Sequence, residues 1–237
     1  MAKAWLPACT CFSTARILSE DDVLTLLARL TLIRTLWLLA LLVAGHAHAT
    51  KVLIIGDSIS AGFGMPVQQG WVALSQATLQ RDYPDIRLIN ASISGDTSAG
   101  GRSRLPSLLQ QHQPQLVIIE LGGNDALRGT PIRVIKDNLA AMIDQSKQAG
   151  GDVLLLGMQI PPNYGPAYTQ AFAQLFQQLS DDKDTRLVPF LLQDLTDDSG
   201  ALKAGMIQAD GIHPSAKAQP LMAALVNQQI RLWLEAQ

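Results

Sequence analysis

Val52-Leu53-Ile54-Ile55-Gly56-Asp57-Ser58-Ile59-Ser60 is the stretch on which the reading of this chain turns. Four apolar residues, three of them β-branched, form a short run that stops abruptly at a glycine, the pattern of a buried strand. A serine stands at the break. A serine at a strand end is by itself most often a turn or helix N-cap residue, so its meaning depends on what the rest of the chain supplies.

Working outward, the same kind of run recurs at Ile86–Ile89, Leu116–Leu121, Val153–Met158 and Leu187–Phe190. Stretches of helical length separate them, at about residues 70–80, 102–111, 132–148 and 168–180. A last stretch, Ser215–Glu235, carries Leu221, Leu225 and Leu232 at helical spacing. Strands alternating with helices predict a parallel sheet covered on both faces. Five units with no internal linker or repeat predict one α/β domain over residues 50–237. The expected fold is a three-layer α/β/α sandwich whose five-stranded parallel sheet has the flavodoxin-like order 2-1-3-4-5.

Residues 1–49 read differently. Arg29 and Arg34 precede the apolar run Leu36–Ala44, and Ala47-His48-Ala49 follows it. A basic flank, a short apolar run and Ala-x-Ala predict a secretory signal cleaved after Ala49, hence a periplasmic or secreted protein. The run is short for a membrane span, so no stable membrane insertion is expected after cleavage; an uncleaved anchor is the alternative. Glu20-Asp21-Asp22 do not belong in the basic region of such a signal, and the true start is expected near Leu30 or Leu32. Both cysteines, Cys9 and Cys11, lie in this leader, so the domain beyond it needs no disulfide.

The 237 residues carry a formal net charge of −2 with no basic stripe, which argues against a nucleic-acid partner. A monomer acting on a small molecule is expected. In open parallel sheets, ligands bind beyond the carboxyl ends of the strands. Those exits here are Gly56-Asp57-Ser58, the segment Asn90–Thr97, Gly122-Gly123-Asn124-Asp125, Gln159-Ile160-Pro161-Pro162, and the loop reaching Asp210-Gly211-Ile212-His213-Pro214.

A serine nucleophile needs a base, most often histidine. Beyond the leader there are two. His112 leads into the third strand, at the far end of the sheet, which leaves His213. Asp210, three residues earlier, can fold back so that its carboxylate reaches the imidazole; a plain loop ahead of a helix at Pro214 would look the same. Acyl transfer also needs donors for an oxyanion, and Gly95 N–H and the Asn124 amide can supply them. A zinc site lacks ligands, so no metal is expected. No phosphate-loop motif is present. The G-x-S-x-G elbow is absent too, because Ser60 stands where its second glycine would be.

Gly56-Asp57-Ser58-Ile59-Ser60, Gly95, Gly123-Asn124-Asp125 and Asp210-x-x-His213-Pro214 resemble, in order and spacing, the four blocks of the SGNH (GDSL) hydrolases. Asn90–Ser98 and Glu120–Asp125 resemble more narrowly its periplasmic thioesterase, lysophospholipase and arylesterase branch. The similarity runs from Lys51 to Gln237. The resemblance implies Ser58 as nucleophile, His213 as base and Asp210 as its partner. It implies an oxyanion hole of Ser58 N–H, Gly95 N–H and the Asn124 side chain, and no cofactor. It implies an exported serine hydrolase acting on fatty-acyl thioesters and carboxylic esters. Leu127, Ile160 and Pro161 are the candidate acyl contacts, with Ala126–Pro131 resembling a loop that closes over the chain. A small-acyl esterase of the same family and a periplasmic binding module without turnover stay open as alternatives, and a membrane-tethered interaction protein does so if residues 36–49 remain attached.

Overall fold

The computed structural model describes residues 49–197 and 201–237, together with Asp21, Leu24, Thr25, Arg29, Thr31, Leu32 and Arg34. The chain divides into two units, 1–47 and 48–237. The seven described positions of the first unit are helical; the apolar run Leu36–Ala44 and both cysteines lie outside the described residues. Among the described residues no helix is long and apolar enough to cross a membrane.

The second unit holds five strands: β1 (Lys51–Gly56), β2 (Arg87–Asn90), β3 (Leu116–Glu120), β4 (Asp152–Leu156) and β5 (Arg186–Val188). All pair in parallel, in the order β2-β1-β3-β4-β5. The central strands are apolar between their ends because both faces of the sheet are covered; their charged residues, Lys51, Glu120 and Asp152, stand at the termini. The period of two then sorts the side chains into two cores. Val52, Ile54, Leu116, Ile118, Leu154 and Leu156 face one core. Leu53, Ile55, Val117, Ile119, Val153 and Leu155 face the other.

Seven helices carry the connections among the described residues: α1 (Ser58–Ala61), α2 (Trp71–Asp82), α3 (Ser98–His112), α4 (Gly123–Leu127), α5 (Ile132–Gln148), α6 (Pro166–Lys183) and α7 (Gln219–Leu234). Helices α2 and α7 cover the first core, with Met222, Val226, Ile230 and Trp233 of α7 on one stripe. Helices α3, α5 and α6 cover the second; α5 buries Ile135, Leu139, Met142 and Ile143 at helical spacing.

Several boundaries differ from the sequence expectation, each for a local reason. Helix α3 starts at Ser98 rather than Arg102, with Thr97 accepting the Gly100 N–H as N-cap. Its two glycines look like helix breakers, yet a Cβ on Gly101 would stand 2.2 Å from Leu121 Cδ1, so a larger residue there would displace the buried Leu121 side chain just beyond β3. Strand β5 ends at Val188, one residue before Pro189, which has no N–H for a ladder. Helix α7 begins at Gln219, so that Pro220 falls in the first turn, where it is tolerated.

Candidate active site

The order reverses between β1 and β3, since β2 lies on one side of β1 and β3 on the other. The sheet therefore opens a crevice at the exits of these two strands. Ser58 is the first residue of α1, immediately beyond β1. Asp57 caps that helix, accepting the Ile59 N–H at 3.0 Å on Oδ1. The hydroxyl of Ser58 is thus left free of capping duty and lies 2.8 Å from His213 Nε2. His213 Nδ1 lies 2.7 Å from Asp210 Oδ2. The other oxygen of Asp210 accepts the backbone N–H groups of Ile212, at 2.9 Å, and His213, at 3.0 Å. One carboxylate therefore shapes the turn that carries the histidine and contacts its ring. The bonds from His213 N–H, Ile212 N–H and the imidazole hold the Asp210 carboxyl down to about 2. His112, by contrast, ends α3 and enters none of these contacts.

Two features hold His213 that the sequence reading missed. Phe63 stacks on the imidazole with ring centroids 4.5 Å apart and planes 35° apart. Gln208 ties the two segments together: its side-chain amide donates to Phe63 O at 2.8 Å and Pro214 O at 3.0 Å, and its N–H donates to His213 O at 2.8 Å. Neither residue belongs to a recognisable motif, and only their spatial meeting gives them meaning.

The two expected oxyanion donors arrive on separate exits. Gly95 has φ +81 in the loop after β2 and a Cβ there would meet nothing within 4 Å, so glycine serves the backbone conformation rather than the space. Arg104 of α3 spans this loop: its Nε donates to Asp96 Oδ2 at 2.8 Å and its Nη1 to Ala91 O. Asn124 lies in α4, where Gly122 at φ +115 lets the chain turn directly from β3 into the helix. Asn124 Nδ2 donates to Asp57 Oδ2 at 3.1 Å, which leaves its second N–H for another acceptor. Buried Asp125 accepts the N–H and Oγ–H of Ser98, both at 2.7 Å, and so joins the Gly95 exit to the Asn124 exit.

Ala126–Leu127 belong to α4, so only residues 128–131 of the expected loop are non-helical. The Ala126 N–H bonds to Gly122 O at 2.9 Å, extending the turn begun at Gly122 into a helix. Ile160 packs half-buried against the second core and Pro161 is exposed. The 3₁₀ turn that follows carries Tyr164, whose hydroxyl donates to Leu127 O at 3.2 Å. Tyr164 thus ties the segment 160–164 to Leu127, three residues beyond Asn124. Among the described residues no group of three or more His, Cys, Asp or Glu is placed to hold a metal ion.

This geometry has relatives. The model of the GDSL-like lipase/acylhydrolase family matches residues 54–220. The chain belongs to that family. It is an ester-hydrolysing enzyme by that membership, with Gly56-Asp57-Ser58 at its head. The chain is 50% identical over 179 residues to esterase TesA of Pseudomonas aeruginosa, covering 76% of this chain and 87% of that protein. It is 40% identical over 193 residues to thioesterase 1/protease 1/lysophospholipase L1 of Escherichia coli K12, covering 81% and 89%. The psychrotrophic esterase EstA from a Pseudoalteromonas species, in a structure inhibited by monoethylphosphonate, superposes with a TM-score of 0.73 at 42% identity over 78% of this chain and 99% of that one.

If the Asn124 amide serves an oxyanion, Asn124→Ala lowers kcat by roughly 10²–10³ with little change in KM. Steady-state kinetics on one ester decide it; a change in KM alone would make Asn124 a ground-state contact.

Proposed function

We propose that this chain is an exported serine hydrolase that cleaves fatty-acyl thioesters and carboxylic esters through an acyl-enzyme on Ser58, with no cofactor. The observation that carries the reading is the chain of contacts Ser58 Oγ, His213 Nε2, His213 Nδ1, Asp210 Oδ2, with links of 2.8 and 2.7 Å. In this mechanism Ser58 Oγ attacks the carbonyl carbon as His213 Nε2 takes its proton. The oxyanion is met by the N–H groups of Ser58 and Gly95 and by the free N–H of the Asn124 amide. His213 then returns the proton to the leaving alcohol or thiol. Water, deprotonated by the same nitrogen, releases the acid and restores Ser58.

The acyl-chain preference in this reading is set by Leu127, Ile160 and Pro161: Leu127 lies three residues beyond Asn124, and Tyr164 ties the segment carrying the other two to Leu127. Each added methylene buried there gains up to about 0.8 kcal/mol, so kcat/KM rises about three- to fourfold per carbon while the burial persists in the transition state. With p-nitrophenyl esters from acetyl upward, the expected profile rises to medium chains and levels off. Leu127→Ala flattens the slope and spares the acetyl ester. A profile that peaks at acetyl overturns the fatty-acyl reading in favour of a small-acyl esterase. A fluorophosphonate probe that fails to label Ser58 favours a binding module.

In this reading the export signal is the basic flank at Arg34, the apolar run Leu36–Ala44 and the cleavage site Ala47-His48-Ala49, and the working enzyme begins at Thr50. N-terminal sequencing of protein from the periplasm of a bacterial host is expected to read Thr50-Lys51-Val52. Full-length chain held in membranes would establish the anchor instead.

A further inference from the structure

Glu120, the last residue of β3, is 0% exposed and lies directly beneath the turn that carries Ser58. The parallel register sets Gly56 opposite it. Its Oε2 accepts the Ser60 hydroxyl at 2.7 Å and the Asp57 N–H at 3.2 Å. Those two donors flank Ser58 on either side. A Cβ on Gly56 would stand 2.6 Å from this same oxygen and 2.9 Å from Ser60 Oγ. The glycine that heads the nucleophile block is therefore the residue that lets a buried carboxyl reach the turn. Asp57, itself 3% exposed, passes the constraint on, because its carboxylate holds both the Ile59 N–H and the Asn124 amide.

We propose that Glu120 is a positioning residue for the reaction: its Oε2 fixes the turn that presents Ser58 and, through Asp57, sets the amide of Asn124. It touches neither substrate nor the reacting atoms. The contacts ask only for an acceptor oxygen, which a neutral acid supplies through its carbonyl. Burial, reinforced by the neighbouring Asp57 carboxyl, pushes Glu120 well above the usual carboxylate range. Burial likewise pushes Asp57 up to about 6, against the Ile59 N–H, Glu120, His213 and Asn124, which pull it down. Two adjacent buried acids of this kind are most stable with the proton kept on one of them. Oε1 of Glu120 has no hydrogen-bond partner among the described residues, and a neutral oxygen tolerates that far better than a charged one.

The inference rests on the hydrolase reading above, and wild-type turnover of a p-nitrophenyl ester with fluorophosphonate labelling of Ser58 tests that reading separately. Glu120→Leu leaves two buried donors without an acceptor. It is expected to lower kcat per labelled active site by about 10- to 100-fold with KM within about twofold. Glu120→Gln keeps the acceptor oxygen and is expected to recover kcat to within about threefold of wild type. A residue that served stability alone would reduce the number of labelled sites and not the turnover of each. A Leu variant that turns over at the wild-type rate per site, or a Gln variant as impaired as Leu, overturns the proposal.

A second measurement holds even where the Leu variant does not fold. A group whose folded-state pKa is raised contributes stability that is complete below its unfolded value and is lost as pH rises toward the folded one. Wild type should therefore lose thermal stability relative to Glu120→Gln as pH rises from about 5 to 8. Asp57 is present in both proteins, as is His213, which acts on Asp57. A difference in Tm that stays flat across that range overturns the neutral acid, and a Glu120→Gln protein whose kcat per labelled site falls about tenfold or more overturns the positioning role.

Discussion

Ser58→Ala is expected to lower kcat for a p-nitrophenyl ester by roughly 10⁶ while leaving the fold unchanged. The size follows from losing the nucleophilic oxygen that lies 2.8 Å from His213 Nε2. The innocence of the change toward the fold follows from what the hydroxyl does not do. Asp57, not Ser58, caps α1, and the two bonds to Glu120 come from Asp57 and Ser60. Removing the hydroxyl therefore costs one hydrogen bond at the mouth of the site, about 1 kcal/mol or less. His213→Ala should lose a similar factor. The double variant should be no worse than either alone, because nucleophile and base act as a unit. Kinetics with active-site labelling and thermal unfolding measure all three proteins. Residual turnover near wild type in Ser58→Ala would refute the mechanism, and losses that multiply in the double variant would refute the pairing.

The parts of this site that could be read from sequence are those whose chemistry is local. Gly56-Asp57-Ser58 announces itself because an apolar strand ends on it. His213 follows by elimination, and Asp210 sits within one turn of it. The fold was legible for a related reason: strands buried on both faces carry unbroken apolar runs, so their number and spacing stand out. What could not be read depends on pairing across the sheet. Glu120 looks like the polar end of an apolar strand until the register places it opposite Gly56, sixty-four positions earlier in the chain. Phe63 and Gln208 are unremarkable residues that meet at His213 from opposite sides of the domain's sequence. The glycines of α3 mislead for the opposite reason. Helix propensity argues against Gly100-Gly101, yet a Cβ would stand 2.1 Å from Asp96 Oδ1 at the first and 2.2 Å from Leu121 Cδ1 at the second.

Asp210→Asn is expected to lower kcat by about 10³–10⁴, more than Asp210→Ala does. The order is the informative part. In the wild type one carboxylate oxygen accepts two backbone N–H groups and the other lies 2.7 Å from His213 Nδ1. An asparagine that keeps its oxygen on the backbone donors turns its NH₂ toward Nδ1. That nitrogen must then carry a lone pair, which places the imidazole proton on Nε2, where it faces Ser58 and blocks proton transfer. An asparagine turned the other way presents NH₂ to two N–H donors and loses the turn. Alanine imposes neither conflict, and solvent can reach Nδ1 because the Asp210 side chain is 36% exposed. The carboxyl of Asp210 is held down to about 2, first by the His213 N–H. A depressed carboxyl contributes its interaction above the unfolded value and loses it only as pH falls through about 2, so its charge is constant wherever the enzyme is assayed near neutrality. The wild-type carboxylate therefore keeps its charge from about pH 5 to 8, the range in which the two variants are compared. Steady-state kinetics of the two variants across that range provide the check. An Asn variant more active than the Ala variant would show that Asp210 acts through its turn and not through the tautomer of His213.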